Sequence, residues 1–526
     1  MTVRASSASL RSGKTKSAHP REGGDPGVFL RGRAGSAPGE KTWVPAFAGM
    51  SGRNGLGRRI GTYLSLAALT LSLLGPVAPA YAQEDAGPSV SIIRDTEIEE
   101  TLRADVRPVF VAAGIDPDAV QLHLVGDKDL NAFVAGGQQM FLNTGLIVTT
   151  ATPNQLIGVM AHETGHMAGG HIARSDDAQS KALVTFLLTM GLGILAAAAG
   201  APDAGGALIY SSNYFATLQI LGYSRTQEAS ADQAAITYLD RAHISGKGLV
   251  DFFDNFRYEE VFSGAKRYPF FQSHPLTSER IESLRVRASQ QADYDKVDTP
   301  EAILRHKIMI AKLRAFMGHP QQTLMDYPET DTSFPARYAR AIAAYKALET
   351  DKAVKLIDAL IVEQPNNPYL YELKGQTLFE SARPKEAEPA YRKAVELKPD
   401  AALLRLGLGQ TLLALDDRAE IDDAITQMHR SLDLEKDDPL AWRLLSQAYD
   451  SKGDEGMARL AAAEEKFALG QEKDARIFAV RAREKLDKTS PEWRRATDIY
   501  MASGPSKDDL QTLADEGSAP KPSKRK

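Results

Sequence analysis

The sequence predicts a mainly α chain in two parts: an α+β domain organised around one polar helix, then an α-helical solenoid. Three observations carry that reading. The stretch "VMAHETGHMAGGH", residues 159–171, places three of the chain's ten histidines close together, with a glutamate directly after the first. Residues 138–148, "QQMFLNTGLIV", have the apolar and branched run of a strand. From about residue 300 the chain reads as helical and repeats every 34 residues, as in the pairs Ala353/Ala387 and Pro365/Pro399.

The polar helix has a definable start. Thr152 can cap it, Pro153 suits its first turn, and Gln155 stands where a capping box places a glutamine. Leu156, Ile157, Val159 and Met160 then supply a buried face. His162 and His166 are four residues apart, so both project from one side and can reach one metal ion. Glu163 points beside that ion, where a general base must stand to take a proton from an attacking water. A third ligand is available in "YSRTQEASAD", residues 223–232: Glu228 can close a His-His-Glu set. Asp232, one helical turn later, is placed to fix the tautomer of a ligand histidine. His171 lies five residues past His166, off the metal-facing side of a continuing helix, and is expected to be structural. Strand 138–148 is open to two readings, a cleft-edge strand that pairs with an extended peptide or a plain core strand.

Composition limits the chemistry. The 526 residues include no cysteine, which excludes disulfides, thiol nucleophiles and cysteine-ligated zinc. Residues 1–82 hold 11 of the 63 basic side chains but only 3 of the 68 acidic ones. The rest of the chain is therefore more acidic than the overall charge of −5 suggests, which argues against a nucleic-acid partner.

Residues 1–49 are rich in Gly, Pro, Arg and Ser without a hydrophobic period, and read as a disordered or misassigned N-terminal extension. Residues 50–82 read as a signal peptide. Arg53, Arg58 and Arg59 precede an apolar stretch over 60–74, Pro76 breaks it, and Ala80-Tyr81-Ala82 offers a cleavage site. Cleavage would export the protein, to the periplasm in a Gram-negative cell. No cysteine follows the cut to carry a lipid. Residues 182–200 and 204–224 lack charge. They suit a membrane hairpin less well than helices covering the active site, because the first stretch is rich in Gly and Ala and the second is weakly hydrophobic.

A further motif, "SHPLTSERIESLR" at 273–285, sets His274 and Arg280 in a loop leading into an amphipathic helix with Ile281 and Leu284. With these residues in view, His-Glu-x-x-His, Ser-Arg-x-x-Glu-x-x-x-Asp and Ser-His-Pro-x-Thr-x-x-Arg together resemble the HtpX and CAAX-prenyl-protease family of zinc metallopeptidases. "NAFVAGGQQMFLNTGL", residues 131–146, is similar to that family's strand region. The resemblance covers about residues 90–290. It implies a gluzincin-type α+β metalloprotease domain, here over 90–295, holding one zinc ion per chain. His162, His166 and Glu228 would be the ligands, Glu163 the catalytic base and Asp232 a partner of a ligand histidine. Arg280 and His274 would lie near the oxyanion, and His274 could also take the metal's fourth position as a regulatory ligand. The chain departs from many relatives at Gly169-Gly170, where they carry bulky or basic residues.

In the second half, Tyr371, Gly375, Leu378, Ala387, Tyr391, Ala394 and Pro399 fall where a tetratricopeptide repeat places them. Trp442, Leu445, Tyr449 and Ala458 mark a later copy, and Gly409, Leu412 and Ala424 one between. About four repeats are expected over 300–500, followed by a disordered tail at 505–526. Stacked helix pairs offer a concave surface for partner proteins. A secreted zinc protease domain followed by such repeats resembles envelope quality-control proteases. That resemblance implies misfolded or stalled outer-membrane proteins as substrates, the outer-membrane β-barrel assembly machinery as partner, and room for peripheral membrane contact. Two alternatives stand beside it: a periplasmic chaperone or scaffold with a latent zinc site, and a membrane-embedded stress protease.

Overall fold

The computed structural model describes residues 92–135, 138–171, 225–257, 268–415 and 417–505, and elements are numbered along those residues. The expected extension at 1–49, signal peptide at 50–82 and apolar stretches at 182–200 and 204–224 lie outside them. So does nearly all of the expected tail at 505–526.

The first part runs β1 (Ile92–Ile93), α1 (Thr96–Ala112), β2 (Gln121–Val125), β3 (Ala132–Ala135), β4 (Gln139–Asn143) and α2 (Thr144–Thr149). The strands form one sheet in the order β1-β2-β4-β3, with β2 and β4 parallel and the two edge strands antiparallel to their neighbours. Strand β4 therefore lies inside the sheet, as a core strand, and β3 forms the edge beside it. The strand expected over 138–148 stops at Asn143. Gly145 N donates to Asp127 O at 2.8 Å, and Thr144 Oγ1 donates to the same oxygen at 2.7 Å. A Cβ at Gly145 would stand 2.1 Å from Lys128 O. The backbone is pressed against the loop after β2, and this contact turns the chain out of the sheet into α2.

Helix α3 (Pro153–Gly169) starts where its caps dictate. Thr152 Oγ1 accepts from Gln155 N at 3.2 Å, and Gln155 Oε1 accepts from Ala151 N at 2.7 Å. Nearly all of α3 is buried, because α1, β3, α4 (Arg225–Arg241) and α5 (Lys247–Asn255) surround it. Burial on all sides suits a central helix whose polar residues meet partners inside the fold. Two positions need the absence of a side chain. A Cβ at Gly158 would lie 2.9 Å from Leu249 N on α5, and one at Gly165 would lie 2.7 Å from Ala231 O on α4. Short α6 (Pro269–Ser273) and α7 (Ser278–Ala288), capped by Thr277, complete this part. Ile281 and Leu284 are buried, as their spacing on α7 predicted.

The helices α8 (Pro300–Met317) and α9 (Pro320–Asp326) lead into stacked helices. These are α10 (Phe334–Lys346), α11 (Thr350–Glu363), α12 (Pro368–Glu380), α13 (Pro384–Leu397), α14 (Ala402–Leu413) and α15 (Arg418–Leu434). Then come α16 (Pro439–Lys452), α17 (Glu455–Ala468), α18 (Glu472–Arg483) and α19 (Pro491–Ala502). Their starts follow a local code: Thr299, Ser333, Asn367, Asp438 and Ser490 each cap a helix that has proline in its first turn. The small residues of the repeat pattern act as close-approach points, since a Cβ at Gly375 would stand 2.6 Å from the Tyr391 ring.

One apolar core runs from Ile93 to Leu373, so packing is continuous across the boundary expected near 295–300. A chain of ion pairs along α1 adds to it. Buried Lys312 on α8 sits 2.9 Å from both Asp95 Oδ2 and Glu97 Oε2, and Tyr338 OH donates to Glu97 at 3.1 Å. Arg94 pairs with Glu99 and with Glu435, and Glu100 receives Tyr369 OH and Lys398. The repeats are thus anchored on the first helix of the N-terminal part. Among the described residues no helix is long and apolar enough to cross a membrane.

Candidate metal centre

Three separate segments converge on one point. The C-terminal half of α3 brings His162, Glu163 and His166. The first turn of α4 brings Glu228, and the residue closing α6 is His274. All five are buried. Gly165 and Ala231 set the distance between α3 and α4, so the ligand-bearing helices meet backbone to backbone.

The donor atoms are spaced like a coordination shell. His162 Nε2 stands 3.1 Å from His166 Nε2 and 3.3 Å from His274 Nδ1. Glu228 Oε1 lies 3.0 Å from His274 Nδ1 and 3.3 Å from His166 Nε2. One donor atom from each of the four residues lies within 4.8 Å of every other. Four donors about 2.1 Å from a common centre at tetrahedral angles stand about 3.4 Å apart, so this set fits a divalent ion such as zinc. Its chemistry fits as well: three imidazole nitrogens and a carboxylate, with no cysteine anywhere in the chain.

The charge balance points the same way. Among the described residues three buried carboxylates, Glu163, Glu228 and Asp232, gather here, and the Arg280 guanidinium pairs with two of them, Glu228 and Asp232. Burial opposes the ionised form of Glu228, but His274, His162 and His166 outweigh it and hold its pKa far below the usual carboxylate range. Burial also opposes a charge on His162, yet its contacts with Asp232 and Glu228 lift its pKa to about 9. Burial, with His162 and His274 nearby, instead holds the His166 pKa well below the ordinary value, against its contact with Glu228.

Around the donors, each contact has a recognisable effect. Asp232 Oδ1 stands 2.9 Å from His162 Nδ1, the ring nitrogen facing away from the donor cluster. Arg280 spans Glu228 and Asp232 of α4: Nε and Nη2 each meet Asp232 at 2.8 Å, and Nη1 meets Glu228 Oε2 at 2.7 Å. Nη1 also donates to Pro275 O at 2.7 Å. The Arg280 guanidinium, expected beside an oxyanion, is instead committed to the carboxylates that orient and complete the donor set. His274 lies within the donor cluster itself, its ring stacked on Phe270 at 4.6 Å between centroids. Its Nε2 stands 3.4 Å from Glu163 Oε1. Neither Glu163 oxygen accepts a hydrogen bond, and burial raises its pKa above the ordinary value.

His171 lies outside the donor set, and the chain reaches it through a turn rather than a continuing helix. The helix ends at Gly170, which takes a left-handed conformation with φ of 60°. His171 then folds back, and its Nδ1 stands 3.0 Å from His166 Nδ1. The α-helical period used to place His171 does not apply beyond that turn; the paired glycines were the available signal.

A helix-borne His-Glu-x-x-His completed by a glutamate from a second helix is a metal-binding set that metalloendopeptidases use, and the chain's relatives place it among them. Residues 95–288 match peptidase family M48, and residues 338–402 and 372–420 match the tetratricopeptide repeat. The chain thus carries an M48 peptidase domain, a family that implies a bound metal, followed by helical repeats. Among named relatives, the beta-barrel assembly-enhancing protease of Yersinia pestis is 25% identical over 335 residues, covering 63% of this chain and 68% of that one. The protein of the same name from Escherichia coli K12 is 25% identical over 358 residues, covering 67% and 72%. Metalloprotease LoiP of Escherichia coli is 30% identical over 169 residues, covering 31% and 60%.

Proposed function

We propose that this chain is a zinc-dependent endopeptidase of the bacterial periplasm that acts in assembly and quality control of outer-membrane proteins. Its repeats dock substrates or the β-barrel assembly machinery. The observation that carries the reading is the donor cluster of His162, His166, Glu228 and His274, with the Glu163 carboxylate beside it, in contact with His274 but accepting no hydrogen bond among the described residues. The place of action is supported by the names of the relatives and by the signal-like segment at 50–82.

His162, His166 and Glu228 would hold the ion, which when bound polarises a peptide carbonyl and lowers the pKa of water. Asp232 keeps the Nδ1 proton on His162 and so leaves Nε2 as a lone-pair donor. Arg280 fixes Glu228 through its outer oxygen, leaving Oε1 toward the donor cluster. Glu163, with neither oxygen engaged in a hydrogen bond, takes the proton from the attacking water and returns it to the leaving amine. His274 occupies the position that a catalytic site keeps open. The resting enzyme is accordingly self-inhibited, and His274 must swing away before a substrate carbonyl can enter.

The test compares three purified proteins on an unfolded outer-membrane protein as substrate. Glu163→Gln should lose about 10²–10⁴-fold in cleavage rate with zinc content and helical content unchanged. His274→Arg should cleave faster than wild type. Cleavage by Glu163→Gln at the wild-type rate would remove the catalytic assignment, and a His274→Arg rate at or below wild type would remove the self-inhibited one.

A further inference from the structure

We propose that His171 is a positioning residue for the metal centre, holding His166 in the tautomer and ring orientation needed to bind the ion through Nε2. The inference rests on the reading of His162, His166 and Glu228 as ligands.

The two ligand histidines of α3 are held from behind in different ways. His162 has a carboxylate, Asp232, on its outer nitrogen, whereas His166 has the His171 imidazole there at 3.0 Å. A ligand imidazole that binds a metal through Nε2 carries its proton on Nδ1 and needs an acceptor for it. His171 Nδ1 can be that acceptor when the His171 proton sits on Nε2.

The local backbone is shaped for this contact. Gly170 adopts the left-handed conformation, which reverses the chain directly after α3. Gly169 leaves the space that the returning ring fills, since a Cβ there would lie 2.5 Å from His171 Nε2. Gln227, the residue before Glu228 on α4, donates from Nε2 to His171 O at 3.2 Å. The same helix turn that delivers the carboxylate ligand therefore also anchors the residue behind the histidine ligand. The result is a buried His171, 6% exposed, at the end of a half-buried glycine turn.

Charge explains why an imidazole stands here rather than a second aspartate. Counting the described residues alone, a bound divalent ion and Arg280 would supply three positive charges, and Glu163, Glu228 and Asp232 three negative ones. A fourth buried carboxylate would leave the site with an uncompensated charge, which burial penalises. A neutral imidazole accepts the proton without that cost.

The experiment measures zinc affinity by competition with a chromophoric chelator and follows the His166 Nδ1–H signal by ¹⁵N-edited NMR, using the full chain. His171→Ala should weaken zinc binding about 10–100-fold and abolish the slowly exchanging Nδ1–H signal. His171→Asn, which retains an acceptor oxygen, should recover part of the affinity and the signal. Gly169→Ala, which leaves His171 in the sequence but displaces its ring, should weaken binding in the same direction. Unchanged affinity and an unchanged Nδ1–H signal in His171→Ala, with wild type binding zinc, would overturn the proposal and leave the metal site standing. Failure of wild type itself to bind zinc would instead overturn the site on which it rests.

Discussion

Two clusters of buried charge sit in this molecule, and they are balanced by different means. At the junction of α1 with α8 and α10, the cation is a side chain: Lys312 lies between Asp95 and Glu97, with the Tyr338 hydroxyl on Glu97. Burial disfavours the charged lysine, but those carboxylates outweigh it and raise its pKa well above the ordinary value. At the end of α3, imidazole and carboxylate donors converge on one point, and the Arg280 guanidinium pairs with Asp232 and with Glu228 Oε2. The first cluster is complete as a folded polypeptide. The second, among the described residues, aims three imidazoles and a carboxylate at one point, an arrangement that could hold a metal ion. Burial alone does not distinguish a structural charge cluster from a functional one; the number of lone pairs aimed at a common centre does.

That contrast can be broken at the junction first. Lys312→Met leaves two carboxylates buried without their cation, and should destabilise the protein by about 3–5 kcal/mol. Urea unfolding should show the loss, while the folded fraction retains full zinc binding. Equal loss of zinc affinity in folded Lys312→Met would show that the two clusters are one unit.

Between the clusters in expected effect stands Gly165→Ala. Its Cβ would press on Ala231 O and push α3 from α4, costing about 1–3 kcal/mol of stability as overpacking does. Because His166 and Glu228 sit on those helices, zinc affinity should fall as well, which isothermal titration can measure. A variant that lost stability and kept wild-type zinc affinity would mean that the helix spacing does not set the site.

The smallest effect concerns a half-buried titratable group with no countercharge among the described residues. His123 on β2 stacks on Phe141 at 4.5 Å, and burial, helped by nearby Arg94, lowers its pKa to about 4. The unfolded chain would protonate it near 6.5. Between about 6.5 and about 4 the unfolded state therefore binds the extra proton, and stability falls as pH is lowered through that window. His123→Phe keeps the stacked ring and removes this term, so the acid-unfolding midpoint should move to lower pH. An unmoved midpoint would place the acid sensitivity elsewhere.

Much of the candidate site was legible in the sequence because its parts obey local rules. A four-residue spacing puts His162 and His166 on one helix face, and the same spacing puts Asp232 one turn beyond Glu228. The helix starts were legible for the same reason, with Thr152 and Pro153 opening α3 as expected. What was not legible depends on distant or irregular contacts. The strand at β4 ended early because the backbone at Gly145 meets the loop after β2. Arg280 could be assigned to the site but not to its partners, since only the folded chain shows its donors committed to Glu228 and Asp232. His171 was placed by a helical period that Gly170 interrupts. The Lys312 cluster joins residues more than 200 positions apart and leaves no pattern in either segment.

The most direct measurement is X-ray absorption at the zinc edge on protein purified without added metal, alongside Glu228→Gln. One zinc per chain should appear, with nitrogen and oxygen donors near 2.0–2.1 Å and the multiple-scattering signature of two or three imidazoles, and Glu228→Gln should weaken or alter it. Protein that takes up no stoichiometric zinc, or zinc surrounded by oxygen donors without imidazole, would contradict the site.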